Sequence, residues 1–119
     1  MKFGHIGFEV QDLPKSKVFY EAILVPLGLK LKHESDTQVR FGTDDRTVFY
    51  FNKKISISGP FHIAFEVDSR EQVDSFYKAA LAAGGTDHGA PGVREHYSPT
   101  YYAAFVIDPN GHNVEVVCR

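Results

Sequence analysis

The chain carries the same pattern twice, and this internal repeat constrains its possible folds more than any other feature of the sequence. The stretches GHIGFEV at residues 4–10 and FHIAFEV at residues 61–67 are nearly identical. When the chain is aligned with itself at an offset of 57 residues, ten identities fall in one register, from His5 with His62 to Gly28 with Gly85. Because the matches continue from a strand pattern into a helix pattern, we infer that the two halves descend from one duplicated module.

Each half opens with a predicted strand and a predicted helix. Residues 3–10 and 61–67 alternate between apolar and polar side chains, which is typical of half-buried strands. Asp12 is the predicted N-cap of the first helix, and Ser69, three residues before Gln72, predicts a capping box for the second. The apolar stripe predicted for the first helix consists of Val18, Phe19, Ala22 and Ile23.

Short strands complete each half. They are predicted at 30–34, 37–42 and 46–52 in the first half, and at 86–95, 100–107 and 112–118 in the second. The sequence DPNG at 108–111 predicts a tight turn in which Asn-Gly supplies the positive φ angles. The predicted fold class is therefore α+β, with two tandem βαβββ modules that form an incomplete eight-stranded barrel with a concave site and the helices outside. We expect one domain over residues 1–119, with module one at about 1–57 and module two at about 58–119.

Composition narrows the classes of partner. The formal net charge of −2 gives no electrostatic reason to expect nucleic acid or an anionic membrane as a partner. The single cysteine, Cys118, cannot form an internal disulfide. The amino-terminal stretch lacks the continuous apolar run of a signal peptide, and no run approaches membrane-spanning length. We therefore expect a cytoplasmic protein.

Strand alternation predicts which polar side chains share the concave side. If Ile6 and Phe8 face the first helix, His5 and its neighbours at alternate positions face the hollow, and His62 does the same in the second half. In the last strand, the same alternation directs Glu115 toward the hollow. Three potential metal ligands, His5, His62 and Glu115, are therefore predicted on the concave side of three different strands.

These residues carry a resemblance to a known family. The paired βαβββ modules, the strand-one histidine in each half and the closing DPNGHNVEVV, which is similar to a D-P-x-G-x-x-x-E ending, resemble the vicinal oxygen chelate superfamily of glyoxalases, bleomycin resistance proteins and extradiol dioxygenases. The segment HYSPTYYAAFVIDPNGHNVEVVC most resembles small bacterial glyoxalase-like proteins. Because this fold supports many chemistries, the resemblance implies a fold and a type of site but no single reaction.

The resemblance implies a divalent metal held by the first and last strands of each module. His5, His62 and Glu115 match three of the four ligand places. The fourth place falls on Phe49 or Tyr50, and neither is a carboxylate. The set is therefore similar to the three-ligand His, His, Glu sites of fosfomycin transferases and extradiol dioxygenases, which leave positions open for substrate. Zn, Mn, Ni and Fe(II) all suit such a ligand set.

Several further residues are candidates for catalysis or substrate binding. Glu9 and Glu66 share the predicted hollow or its rim, where desolvation would raise the pKa of a carboxyl group and make it a general base. Residues 94–102, REHYSPTYY, have the character of a loop that covers a pocket. Alternation allows only one of its two adjacent tyrosines to face inward. Our assignments are Glu9, Glu66, His96 and Tyr102 as catalytic, and Tyr101, Arg94 and Phe49 as substrate-binding. His33, His88 and His112 are predicted to lie on the surface.

Two functions of different class follow from these features. The first is a metal-dependent enzyme of the glyoxalase-like type, acting on a small oxygenated substrate chelated through vicinal oxygens, as a lyase, isomerase, thiol transferase or dioxygenase. The second is a metal-free small-molecule binding or resistance protein like the bleomycin-binding group, which the absent fourth ligand and the many aromatic residues favour. The resemblance also implies a homodimer, and it leaves open whether the two modules of one site come from one chain or from two.

Overall fold

The computed structural model describes residues 5–54 and 59–119, and within these residues it contains two helices and eight strands. The chain divides into two compact units, Met1–Gly59 (unit 1) and Pro60–Arg119 (unit 2). Within the described residues, no helix is long and apolar enough to cross a membrane. The organisation of both units as one domain stays a prediction.

Unit 1 is a four-stranded sheet with one helix. Its elements are β1 (Ile6–Val10), α1 (Leu13–Leu24), β2 (Lys30–Glu34), β3 (Gln38–Gly42) and β4 (Thr47–Lys53), and the strand order is β1-β4-β3-β2. β1 runs parallel to β4, and the other neighbours are antiparallel. The aromatic rings of Phe8, Tyr20, Phe49 and Phe51 pack together between sheet and helix, with ring centroids 5.1–5.7 Å apart.

Unit 2 repeats this connectivity. Its elements are β5 (His62–Glu66), α2 (Arg70–Ala82), β6 (Thr86–Val93), β7 (Tyr102–Ile107) and β8 (Asn113–Cys118), in the order β5-β8-β7-β6. β5 and β8 are parallel, as β1 and β4 are in unit 1. The α+β class with two βαβββ modules is therefore confirmed, although the predicted first strand includes residues 3 and 4, which lie outside the described residues.

Both predicted helix N-caps are confirmed. The carboxylate of Asp12 accepts from the Lys15 backbone N–H at 3.0 Å, and Ser69 forms a complete capping box with Gln72. The predicted stripe of α1 is wrong at Val18, which is 58% exposed. The buried residues of α1 are Leu13, Ser16, Phe19, Tyr20, Ile23 and Leu24. Their spacing of three and four residues centres the buried stripe away from position 18.

The connection between β7 and β8 differs from the predicted turn. In the described residues, positive φ is confined to glycines, so Gly111 (φ 91°) has it and Asn110 does not. The Asp108 carboxylate organises the loop, because it accepts from the backbone N–H groups of Asn110 and His112, each at 2.8 Å. His112 is only 2% exposed, so its predicted surface position is wrong. Its Nδ1 accepts from the Phe61 backbone N–H at 3.1 Å, which fastens the loop to the start of β5.

Candidate functional site

The face of the unit 2 sheet opposite α2 carries a histidine, a glutamate and a tyrosine in direct contact; we call it the polar face of unit 2. The parallel pairing of β5 with β8 sets Ala64 opposite Glu115, and His62 lies two residues earlier on β5. His62 Nε2 lies 3.0 Å from Glu115 Oε2, and the Tyr101 hydroxyl donates to the other oxygen, Oε1. Glu115 is 3% exposed, whereas about half of the His62 side chain (48%) is exposed. A buried carboxylate therefore lies beneath an accessible imidazole.

The hydrogen bonds of His62 determine where its proton lies. Nδ1 is 3.1 Å from the Asn113 carbonyl oxygen, which can only accept, so Nδ1 carries the proton. In the neutral ring, Nε2 then presents a lone pair to Glu115 Oε2, which is also an acceptor. Two acceptors at this distance require a proton or a cation between them. Histidines that bind metals through one ring nitrogen almost always donate the other ring N–H to a carbonyl, a carboxylate or water.

The two adjacent tyrosines face opposite sides of unit 2. The Tyr101 hydroxyl is bonded to Glu115, and burial together with that carboxylate raises the pKa of Tyr101 to about 12. Tyr101 is therefore a hydrogen-bond donor at neutral pH. Tyr102 lies on the helix side, where its hydroxyl donates to Asp74 at 2.7 Å and the Arg70 guanidinium covers its ring at 4.8 Å. Tyr101 thus contacts the Glu115 carboxylate, and Tyr102 does not.

The segment that precedes β7 adds a cation and exposed aromatic rings. Arg94 donates to the backbone carbonyls of Ala90 and Gly92, each at 2.8 Å, and lies 5.4 Å from the centre of the Phe105 ring. The Phe105 ring also stacks with the His62 ring, with centroids 6.4 Å apart. Phe105 therefore lies between Arg94 and the polar face. The exposed His96 contacts the Tyr97 ring at 4.2 Å.

The two candidate glutamates each pair with a cation. Glu66 lies 2.5 Å from Arg119, and this guanidinium lowers the pKa of Glu66. The expectation of a raised pKa is therefore wrong for Glu66. Glu9 lies 3.6 Å from Lys54, and both side chains are about half exposed. These strand-end carboxylates are solvated, which removes the desolvation on which the general-base prediction depended.

The corresponding face of unit 1, its polar face, has a tyrosine in place of the glutamate. β1 pairs Gly7 with Tyr50 as β5 pairs Ala64 with Glu115, so Tyr50 is the repeat counterpart of Glu115. The Tyr50 ring lies over Gly7, where an added Cβ would be 2.1 Å from Cζ, and it is 5.7 Å from the His5 ring.

Phe49 lies on the opposite face of β4 from Tyr50, within the core. It is 2% exposed and packs against Phe8 and Tyr20. Phe49 is therefore part of the core rather than of the polar face, whereas the His5 ring contacts Tyr50 on that face.

The sequence-based assignments missed Arg40, which shares the polar face of unit 1. Arg40 pairs directly with Tyr50 across the β3–β4 ladder. The sequence indicates the position of Arg40, because it lies between two apolar residues, Val39 and Phe41. Both of these are buried in the core. Strand alternation then directs Arg40 to the other face. Arg119, the partner of Glu66, was missed because it lies 53 residues away.

The side chains of each unit can be compared with the ligands that a divalent metal requires. His62 Nε2 and Glu115 Oε2 are 3.0 Å apart, a spacing that two ligands of one ion with bond lengths of about 2.0–2.2 Å commonly have. This pair fits a divalent metal in both donor type and spacing. Within residues 5–54 and 59–119, neither unit alone brings together three or more His, Cys, Asp or Glu side chains that could hold a metal ion. The pair therefore offers two ligands from unit 2.

Comparisons with known proteins agree with this architecture. The sequence model of the family described as Glyoxalase/Bleomycin resistance protein/Dioxygenase superfamily matches residues 2–116. No curated protein matches the chain significantly. A glyoxalase/bleomycin resistance protein from Albidiferax ferrireducens T118 is 28% identical, with a TM-score of 0.81 over 98% of both chains.

Two further solved structures share the fold at lower identity. A glyoxalase/bleomycin resistance protein/dioxygenase family enzyme from Burkholderia phytofirmans PsJN is 21% identical, with a TM-score of 0.76 over 99% of this chain and 98% of that chain. The fosfomycin resistance protein FosX from Mesorhizobium loti is 19% identical, with a TM-score of 0.72 over 99% of this chain and 92% of that chain.

Proposed function

This chain belongs to the glyoxalase/bleomycin resistance protein/dioxygenase superfamily, and we propose that it is a metal-dependent enzyme of the glyoxalase-like type that acts on a small oxygenated substrate chelated through vicinal oxygens. The observation that carries the proposal is the placement of the two His62 ring nitrogens. Nδ1 lies 3.1 Å from a backbone carbonyl oxygen, and Nε2 lies 3.0 Å from the Glu115 carboxylate. A divalent cation held by both would satisfy the two acceptors.

In this proposal His62 and Glu115 hold the metal, and His5 is the third ligand on the strength of the sequence repeat. The bound ion would act as a Lewis acid that polarises a substrate oxygen. Tyr101 keeps its proton, because its pKa is raised to about 12, and it donates to Glu115 Oε1. That hydrogen bond fixes the orientation of the carboxylate and leaves Oε2 directed at His62.

Proton transfer needs a side chain near the substrate that can take up and return a proton. We propose His96 for this role, because the Glu9 carboxylate is half exposed and paired with Lys54. The lowered pKa of Glu66 makes it a weaker base, and the Tyr102 hydroxyl is held by Asp74. Arg94 and Tyr101 are proposed to contact the substrate. The reaction is a lyase, isomerase, thiol transferase or dioxygenase reaction, and these four classes define the activity screen once the metal is known.

The test is metal content and metal titration of untagged protein purified without chelators. Elemental analysis and calorimetry with Zn²⁺, Mn²⁺, Ni²⁺ and, anaerobically, Fe²⁺ should give about one ion per chain, as a structural or catalytic site holds. His62→Ala and Glu115→Gln should abolish tight binding, and His5→Ala should weaken it. His88→Ala is the matched control, because His88 is an exposed histidine on β6, at the opposite edge of the unit 2 sheet from β5. A folded parent protein that binds none of the four ions would refute the proposal.

The second candidate function, a metal-free binding or resistance protein, is favoured by one observation. Tyr50 occupies the position equivalent to Glu115, so the first module contributes an aromatic ring where the resemblance implies a carboxylate. A binding protein predicts that a ligand raises the melting temperature without turnover. The homodimer also stays a prediction, which light scattering of the purified protein checks.

A further inference from the structure

We propose that the polar face of unit 1 binds the anionic group, a carboxylate or phosphate, of a small organic substrate, and that Arg40 is the residue that recognises it. This inference rests on the proposed function and deepens it, because it names the substrate class as small oxygenated anions. It assigns a role to a residue that the metal proposal does not use.

Arg40 is a cation for which the described part of the chain supplies no counter-ion. None of the ion pairs among residues 5–54 and 59–119 involves it. Its Nε is buried, and no hydrogen-bond acceptor in the described part of the chain reaches it. A buried donor left unsatisfied is unfavourable by an amount comparable to a lost hydrogen bond, so such a group is expected to have a partner. Arg94, by contrast, already donates to two backbone carbonyls.

The surroundings of Arg40 supply further donors. His5, Gln38, Arg40, Thr47 and Tyr50 line one shallow hollow of about 450 Å³. Arginine, glutamine, threonine and tyrosine side chains can all donate to an oxyanion, and the guanidinium presents a planar fork that suits carboxylate and phosphate.

The charges of the same face favour an anion. Glu9 is the carboxylate that strand alternation places on this face, and it is paired with Lys54 at 3.6 Å. In the repeat, Arg40 takes the position of Phe105, since Arg40 pairs with Tyr50 as Phe105 pairs with Glu115. The module that lacks the carboxylate has therefore gained a cation. This combination favours recognition of negative charge on this face.

The experiment measures anion binding by the full chain after removal of metal with a chelator and dialysis, with circular dichroism to check the fold. Acetate and inorganic phosphate are the probes, and acetamide is the neutral control. Two readouts are used: calorimetric affinity, and the NMR shift of the Arg40 Nε–H resonance, which needs no variant. Arg40→Gln removes the guanidinium, and Arg46→Gln is the matched control, because Arg46 is an exposed arginine on the same unit.

We expect at least one of the two anions to shift the Arg40 Nε–H resonance, and acetamide not to shift it. Arg40→Gln should weaken binding of that anion by about 10-fold or more, the usual effect of losing a charge-assisted hydrogen bond, and Arg46→Gln should leave it within about twofold. The inference is overturned if neither anion moves the resonance, or if both variants weaken binding equally.

Metal content of Arg40→Gln separates this inference from the metal proposal. The variant should hold as much metal as the parent, because Arg40 is not a proposed ligand. If anion binding depends on Arg40 while the parent holds no metal, the anion site stands and the enzyme proposal fails. If metal binds but no anion contacts Arg40, the substrate class proposed here is wrong and the metal site stands.

Discussion

The contact between Gly7 and Tyr50 predicts that Gly7→Ala destabilises the protein, although alanine occupies the equivalent position 64 of the other module. An alanine Cβ at position 7 would lie 2.1 Å from Tyr50 Cζ and 2.5 Å from both Cε atoms. Ordinary carbon contacts are about 3.5–4.0 Å, so the shortfall is about 1.5 Å and small adjustments cannot relieve it. Tyr50 must leave its position over β1.

The size of the effect follows from this forced movement. The clash falls on the far end of the Tyr50 side chain, which lines a hollow, so the cost lies near the lower end of the about 1–3 kcal/mol that overpacking takes from the free energy of unfolding. For a chain of this length, about 1 kcal/mol corresponds to a fall in melting temperature of roughly 4 °C. Gly7 does not have positive φ, so the backbone itself accepts alanine. Without the clash, the substitution should stabilise the strand by about 0.5–1 kcal/mol through the reduced entropy of the unfolded chain.

A double-mutant cycle measured by urea denaturation tests the reasoning. Gly7→Ala should destabilise the parent and be neutral or stabilising in the Tyr50→Ala background, so the sign of its effect changes. Amide exchange at Val39 checks that the sheet is intact. Val39 lies on the core side of β3 and pairs with neither Gly7 nor Tyr50. Equal destabilisation in both backgrounds, or none in either, would show that the ring does not occupy this space.

Three further outcomes are expected. Ser69→Ala should lower the free energy of unfolding by about 1 kcal/mol in urea, because it removes the capping box, whereas Ser75→Ala at an exposed position within α2 should not. In carboxyl ¹³C NMR titrations, the pKa of Glu66 should lie below its ordinary value of 4.5 and should move back toward that value in Arg119→Gln. The ion pair stabilises the fold at pH values above the unfolded-state pKa of Glu66, and this stabilisation is lost as the pH falls through the lowered pKa of the folded state. Phenolate absorbance should show Tyr101 titrating near pH 12; its raised pKa stabilises the fold below the ordinary value of 10.0, and this stabilisation is lost as pH rises toward 12.

The sequence predicted the modules well because their signals are local and occur twice. Strand alternation and the repeat were sufficient to predict β5 and β8 and to direct His62 and Glu115 to one face, where they are in contact. The caps of both helices also follow from neighbouring residues.

Features that depend on three-dimensional neighbours were beyond the sequence. Tyr101 precedes β7, so alternation could not decide whether it or Tyr102 would reach Glu115. His112 is buried where its Nδ1 accepts a hydrogen bond from the Phe61 backbone N–H, 51 residues away in sequence, and no local sequence pattern predicts that bond. The ion pair that lowers the pKa of Glu66 is equally distant along the chain.

The Gly7–Tyr50 contact also limits the order in which the duplicated halves can change during evolution. A single amino-acid substitution could replace Tyr50 by glutamate, because Gly7 on the neighbouring strand leaves more room than a carboxylate side chain needs. The reverse change is not a single step: a tyrosine at position 115, lying over the opposite strand as Tyr50 does, would meet the Cβ of Ala64 and would first require glycine there. The first module can therefore regain an acidic residue far more easily than the second can lose its own to an aromatic one.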